Sequence, residues 1–331
     1  MANIHLTMAT NDYDHVRDIH MGIVRPDGID LTCLTMEVEE IFHRFLFSLE
    51  WDISEISTGM STSWISRGNA PFVLIPVFPS RVFRHSSIYI HPEGRVKKPA
   101  DLKGKRVGVP EWGQTAGIYT RGWMVHEAGV ALKDVSWVQS GVNDPGRQEA
   151  ATLDLPEGVR LEVVTDRSLT QMLLDGDLDA IFTARAPAEF LRGNPGVVRL
   201  FPDFRKEEEA YCRKTGIFPI MHSVAIRKGV ADRHPWVPMN VFKAFDAAKK
   251  RSVARMMDVT ASQIALPWLF DELPRLSKTL FGGNDYWPYG MEPNRVTLEA
   301  FLLYGYEQGV FHRHLKPEDL YPESVQHFHR K

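Results

Sequence analysis

The chain has 331 residues, 44% hydrophobic and 24% charged, with a formal net charge of −3. That length allows two domains with sizeable cores, and the composition is that of a soluble globular protein. The charge gives no broad basic surface for nucleic acid or an anionic membrane, so any cation that matters must act locally.

Strand and helix patterns alternate along the sequence. An apolar strand is expected over 4–9, a helix over 13–21, and an alternating strand over 29–34 after Gly28. Ile41, Phe42, Phe45 and Leu49 have helical spacing over 38–49. Strands follow over 53–57 and 72–78. This rhythm argues a doubly wound sheet with helices on both faces. A second unit starts near Arg95. Residues 99–110 read as a helical turn and then a strand. A loop through Glu111, Trp112 and Gly113 leads to a helix from Gln114-Thr115 to Gly129. Strands are expected over 135–138, 161–164 and 178–183, with helices over 170–174 and from 186. Residues 217–227 look like a chain returning to the first sheet. Long helices over 238–255 and 294–308 follow, with helices filling the rest. No internal repeat and no Gly-rich phosphate loop is seen.

The densest chemical signal is Pro79 to Ser86, PSRVFRHS, after the apolar run FVLIPVF (72–78). If the chain stays extended, Arg84 and Ser86 share one face and His85 lies on the other. Arginine grips carboxylates with two donors, and histidine titrates near neutral pH. The segment therefore looks built for an organic anion with a proton carrier beside it. Cys33 and Cys212 are far apart and form no CxxC pair, which argues against a disulfide framework or thiolate metal site. The histidines make no HExxH spacing, and His312, His314, His327 and His329 read as solvated surface. No metal and no cofactor is signalled. The N-terminus has no basic region followed by an apolar one, and no apolar run reaches membrane-spanning length, so the expected location is cytoplasmic.

The phrases PADLKGKRVGVP (99–110) and MLLDGDLDAIFTA (172–184), with Gln114-Thr115 opening a helix, resemble the type II periplasmic-binding-protein fold. The resemblance implies an α/β architecture of two lobes joined by two crossing hinge strands, with C-terminal helices and ligand bound between the lobes. Lobe one is then 1–94 plus 219–331, and lobe two is 95–218. A closer resemblance is to the 4,5-dihydroxyphthalate decarboxylases, a cytoplasmic branch of that fold. It is carried by NDYDH (11–15), VEEIFHRF (38–45), WDISEIS (51–57), IPVFPSRVFRHSSIYI (75–90), RVGVPEW (106–112), DPGRQE (144–149), RLFPDF (199–204), TGIFPIMHSVAIR (215–227) and DYWPYG (285–290).

That resemblance implies loss of carbon dioxide from a hydroxylated aromatic dicarboxylate, with the ring itself as electron sink. Such a reaction needs a proton donor at the ring carbon, a group at the para hydroxyl, and cations for the carboxylates. Arg81 and Arg84 are assigned to carboxylate oxygens, with Ser86 beside them. His85 is the leading proton donor and His222 its rival, since both segments approach the hinge. Glu111 would accept from a ring hydroxyl, and backbone amides near Gln114 and Thr115 form an anion-receptive helix N-terminus. Arg147 and Arg185 would wall the second lobe, Trp112 would stack on the ring, and Asp14 lies past the first strand, where ligands often bind. Tyr286 and Trp287 read as packing. Asp14, Glu55 and Glu111 are the carboxylates that could converge on a divalent ion.

Two other functions share the fold. One is a solute receptor for an organic anion. The other is an enzyme of the futalosine route or of thiamine-pyrimidine synthesis. The expected partner is a small aromatic dicarboxylate, with neither nucleic acid nor membrane, and the apolar C-terminal helices leave a homo-oligomer open.

Overall fold

A computed structural model of the chain describes residues 3–327. Among these, eleven strands fall into two mixed sheets. The first four strands are β1 (Ile4–Thr10), β2 (Ile29–Thr35), β3 (Ile53–Ser57) and β4 (Phe72–Ile75). Six follow: β5 (Ile88–Ile90), β6 (Arg106–Val109), β7 (Ser136–Gln139), β8 (Leu161–Val163), β9 (Ala180–Phe182) and β10 (Val198–Arg199). The chain then returns as β11 (His222–Arg227). Sheet one has the order β2-β1-β3-β11-β4 and sheet two the order β10-β5-β9-β6-β7-β8. β1, β2 and β3 are parallel, and β11 runs antiparallel between β3 and β4. This is the two-lobe architecture that the sequence implies.

Two crossings join the lobes, and they touch. The backbone N–H groups of Met221 and His222 donate to the Ser80 carbonyl at 2.9 and 3.2 Å, and Arg81 bridges Ile220 antiparallel. Sheet membership changes between Ile75 and Ile88. Strand β5 therefore pairs in lobe two, although it falls within the 1–94 range expected for lobe one.

Local differences from the sequence reading have simple causes. The strand expected over 72–78 ends at Ile75, because Pro76 has no N–H to give a ladder. The helix expected over 13–21 is a run of turns closing in Arg17–His20. Residues His85–Ser87 form a 3-10 turn, so Ser86 does not repeat the face of Arg84. The helix Phe204–Thr215 was not placed by the sequence. Its buried face is Glu208, Tyr211 and Cys212, which leaves only two apolar positions to signal it within a strongly charged segment.

One hydrophobic cluster runs through both lobes, from Leu6 and Ile53 to Val107 and Phe182, and takes in the C-terminal helices Val237–Met256 and Arg295–Glu307. No described helix is long and apolar enough to cross a membrane. His314 and His327 are exposed and His312 half-buried, while His329 lies outside the described residues.

Candidate active site

The interlobe cleft lies past the carboxyl ends of β3, β6, β7 and β9, where open α/β sheets usually bind ligand, and the antiparallel β11 brings its first residue, His222, to the same rim. β3 is buried along its whole length, and alternation places Ile53, Glu55 and Ser57 on one face. In the β3–β11 register His222 lies opposite Ser57 and Val224 opposite Glu55. Residues directly opposite share a face, so His222 and Glu55 are diagonal neighbours within side-chain reach. His222 Nδ1 lies 2.6 Å from Glu55 Oε1. Glu55 is fully buried, and it also accepts from Tyr13 Oη at 2.6 Å and from the Asn11 N–H at 2.8 Å. A buried carboxylate survives only when partners surround it, and here there are three. Nδ1 is thereby engaged, which leaves Nε2 as the nitrogen available to the cleft that His222 lines. Phe42 meets the imidazole edge-on at 4.9 Å between ring centroids.

The cleft encloses about 460 Å³, within the range of small-ligand sites. The helix Val38–Ser48 supplies Val38, Phe42 and Leu46, one turn apart, as an apolar wall. Lobe two supplies Glu111 and Gln114 after β6, Arg147 from the loop after β7, and Ala184 and Arg185 after β9. Two helix N-termini meet in the cleft. Ser57 caps the helix Thr58–Ser66, and its Oγ lies 3.0 Å from Thr115 Oγ1, the first residue of the helix Thr115–His126. Thr115 Oγ1 also accepts from the Gly59 N–H at 2.9 Å. The approach is close enough that a Cβ on Gly59 would sit 2.8 Å from the Gly113 carbonyl oxygen. Backbone donors at such ends suit anions.

Three arginines reach the cleft, and their states differ. Arg84 is held at the hinge by neutral acceptors, Met221 Sδ at 3.1 Å and the Ala184 carbonyl at 3.3 Å. Burial pushes its pKa down to about 10, with Glu208 opposing, and Glu208 itself is taken by the Ser86 N–H at 2.9 Å. Arg147 pairs with Glu111 and lies 3.6 Å from Glu39. Arg185 also lies 3.6 Å from Glu39. Burial pushes the Glu111 carboxyl above its usual range, with Arg147 opposing.

Other residues proposed from sequence fall outside the cleft lining. His85 sits in an aromatic cage, with ring centroids of Trp123, Tyr211 and Phe201 at 5.0, 5.1 and 5.6 Å. Burial takes its pKa down to about 4. Arg81 is a buried strut, donating to Asn294 Oδ1 at 2.7 Å and the Phe218 carbonyl at 2.6 Å. Ser86 engages Glu208 and, through its carbonyl, Arg199 at 2.9 Å. Trp112 is fully buried beneath Arg121, with Nε1 donating to the Gln308 carbonyl at 2.7 Å, so its ring has no free face for a substrate. Asp14 accepts from Ser252 and pairs with Arg255 at 3.3 Å. Asp14, Glu55 and Glu111 have separate partners, and no group of three metal-binding side chains is found among the described residues. Sequence reasoning did not single out Tyr13, Phe42, Ser57 or Ser80. The available signal was the acid of WDISEIS, placed mid-strand between apolar positions.

The sequence is 37% identical over 330 residues, 99% of each chain, to the 4,5-dihydroxyphthalate decarboxylase of Comamonas testosteroni. The chain belongs to the 4,5-dihydroxyphthalate decarboxylase family. A second member of that name, from Pseudomonas putida, is 38% identical over 204 residues, 61% of this chain and 79% of that one. Within the decarboxylase family sequence, residues 82–151 also match the family described as NMT1/THI5 like. In three dimensions this family member resembles the periplasmic aliphatic sulphonate binding protein SsuA of Escherichia coli, with a TM-score of 0.54 over 98% of this chain and 99% of that one. The SsuA of Methylobacillus flagellatus gives 0.55 over 97% and 92%. Both are 12% identical in sequence, which speaks to the fold alone: a two-lobe binding-protein framework that the decarboxylase family shares.

Proposed function

We propose that this chain is a carboxy-lyase that converts 4,5-dihydroxyphthalate to protocatechuate and carbon dioxide in the interlobe cleft, with His222 as the proton donor. The observation that carries the role of His222 is its bond to the buried Glu55, which fixes Nδ1 and presents Nε2 to the cleft. Family membership supplies the substrate class.

In this substrate each carboxylate has a hydroxyl para to it. As Glu111 takes the proton of one hydroxyl, electron density moves through the ring to the carbon para to it. His222 delivers its Nε2 proton to that carbon, which still bears its carboxylate. The C–C bond to the carboxylate then breaks, and carbon dioxide leaves. The bonding pair returns to the ring, aromaticity is restored, and Glu111 gives the proton back to oxygen. One proton enters at carbon and one carbon dioxide departs. Glu55 supports the imidazolium that begins the cycle, as a carboxylate behind a catalytic histidine commonly does. Arg84 and the paired N-termini near Ser57 and Thr115 hold one carboxylate. Arg147, Arg185 and Gln114 hold the other from lobe two. Closing the lobes removes water and strengthens each of these contacts. We place the reaction in the cytoplasm, a reading that both free cysteines, Cys33 and Cys212, suit.

The test is carbon dioxide release from 4,5-dihydroxyphthalate by purified, chelator-treated protein, with protocatechuate followed by chromatography. The wild type releases one carbon dioxide per protocatechuate. His222→Gln slows turnover by about 100-fold or more while the Kd stays within a few-fold. Tight binding without turnover by the wild type would favour the solute-receptor reading instead.

A further inference from the structure

The segment NDYDH (11–15) follows β1 and is not absorbed by the roles above. Its Asn11 side chain is pinned to the Met36 carbonyl at 3.0 Å and its backbone N–H to Glu55 Oε2 at 2.8 Å. This anchoring aims Tyr13 Oη at Glu55 Oε1, 2.6 Å away, the same oxygen that meets His222 Nδ1. Tyr13 Oη is also 3.3 Å from that Nδ1.

We propose that Tyr13 is a positioning residue whose hydroxyl, by sharing Glu55 Oε1 with His222, sets how strongly the carboxylate holds the imidazole and so how readily Nε2 releases its proton. This rests on the role of His222 given above. One carboxylate oxygen divided between two donors binds each less firmly than it would bind one alone. The phenol stays protonated, because burial and the charge of Glu55 raise its pKa. It therefore acts as a donor at every working pH. With the phenol present, part of the negative charge of Glu55 is neutralised. Glu55 then holds the His222 imidazole less firmly than it would without the phenol. The other titratable and charged groups lining the same cleft are Glu39, His43, Arg84, Glu111, Arg147 and Arg185. Tyr13 also meets the His15 ring at 5.3 Å between centroids, and Tyr289 acts on it electrostatically, as Asp14 and Lys249 do on His15. None of these takes Glu55 Oε1; Tyr13→Phe removes the hydroxyl's contacts to Glu55, to His222 Nδ1 and to Ser80, and the Glu55→Gln background separates the first from the other two.

The experiment follows the His222 ring nitrogens by NMR in 15N-histidine-labelled, ligand-free protein, together with the pH profile of kcat. In Tyr13→Phe the His222 midpoint rises by about half a pH unit to one unit, since a hydrogen bond to a charged group is worth one to two such units in full and only part of it reaches the ring. The alkaline limb of kcat moves the same way, kcat falls, and KM stays unchanged. In a Glu55→Gln background the shift disappears, because the effect runs through the carboxylate. A His222 midpoint unmoved in folded Tyr13→Phe overturns the proposal. So does a shift of equal size in the Glu55→Gln background, which would show that Tyr13 acts on the ring directly. The NMR titration needs no turnover, so a protein that shows the shift but releases no carbon dioxide would overturn the decarboxylase reading and leave this one standing.

Discussion

Replacing Arg84 with methionine separates binding from folding. The side chain is half-buried, its donors go to a thioether and a carbonyl, and burial has lowered its pKa to about 10. A buried cation with neutral partners is costly to the ligand-free protein. Methionine keeps most of the volume and the contacts of the stem without the charge. The ligand-free variant should therefore be as stable as the wild type or more so. An anion placed against Arg84 gains a charge-assisted contact in a cleft from which lobe closure would remove water. Losing one such partner costs about 2–5 kcal/mol, which is roughly 30-fold to several thousand-fold in Kd. Calorimetric titration with 4,5-dihydroxyphthalate measures the Kd, and thermal unfolding without ligand measures the stability. The prediction is a Kd weaker by at least about 30-fold with an unchanged or higher Tm. A Kd within threefold of wild type would refute the carboxylate role. A large loss of Tm would show that Arg84 is a strut like Arg81.

Glu55→Gln should lower kcat by about 100-fold or more with KM nearly unchanged, measured by steady-state protocatechuate formation, because the amide cannot support an imidazolium. His85→Phe should keep turnover near the wild-type value, since the aromatic cage keeps His85 off the cleft lining. The native pKa of His85, about 4, is below its ordinary value of 6.5, so the unfolded chain binds the extra proton between them. Stability rises with pH across that window and is lost as pH falls through it. Denaturant midpoints at pH 5 and pH 7 should converge in His85→Phe relative to wild type. Trp112→Ala should cost about 3–5 kcal/mol of stability by opening a cavity in a fully buried site, read as a lower denaturant midpoint.

The sequence carried the fold well, because the alternation of strands and helices survives in each lobe. It placed the cleft between the two lobes, where the segments 79–86 and 217–227 approach the hinge. It was weakest where geometry depends on one residue. Pro76 ends β4 early, and the turn at His85–Ser87 sends the histidine of PSRVFRHS into an aromatic cage. Both histidines approach the hinge, so spacing could not choose between them. The choice comes from register: β11 sets His222 diagonal to Glu55, a long-range pairing with no local signature. Trp112 failed for a different reason. An aromatic after a strand looks the same whether it faces ligand or core, and here the Gln308 carbonyl claims its N–H from the far end of the C-terminal helix. Gln114, Thr115, Arg147 and Arg185 were readable because strand ends in an α/β lobe point to one rim.

Enzymatic replacement of one carboxylate by a proton, with carbon dioxide lost, is tested by running the reaction in D2O. Mass spectrometry and proton NMR of the product then locate the label. The expected product is protocatechuate carrying one deuterium at the carbon that lost its carboxylate, formed in step with carbon dioxide and suppressed in His222→Gln. Recovery of intact, bound 4,5-dihydroxyphthalate with no carbon dioxide, or unlabelled protocatechuate, would contradict it.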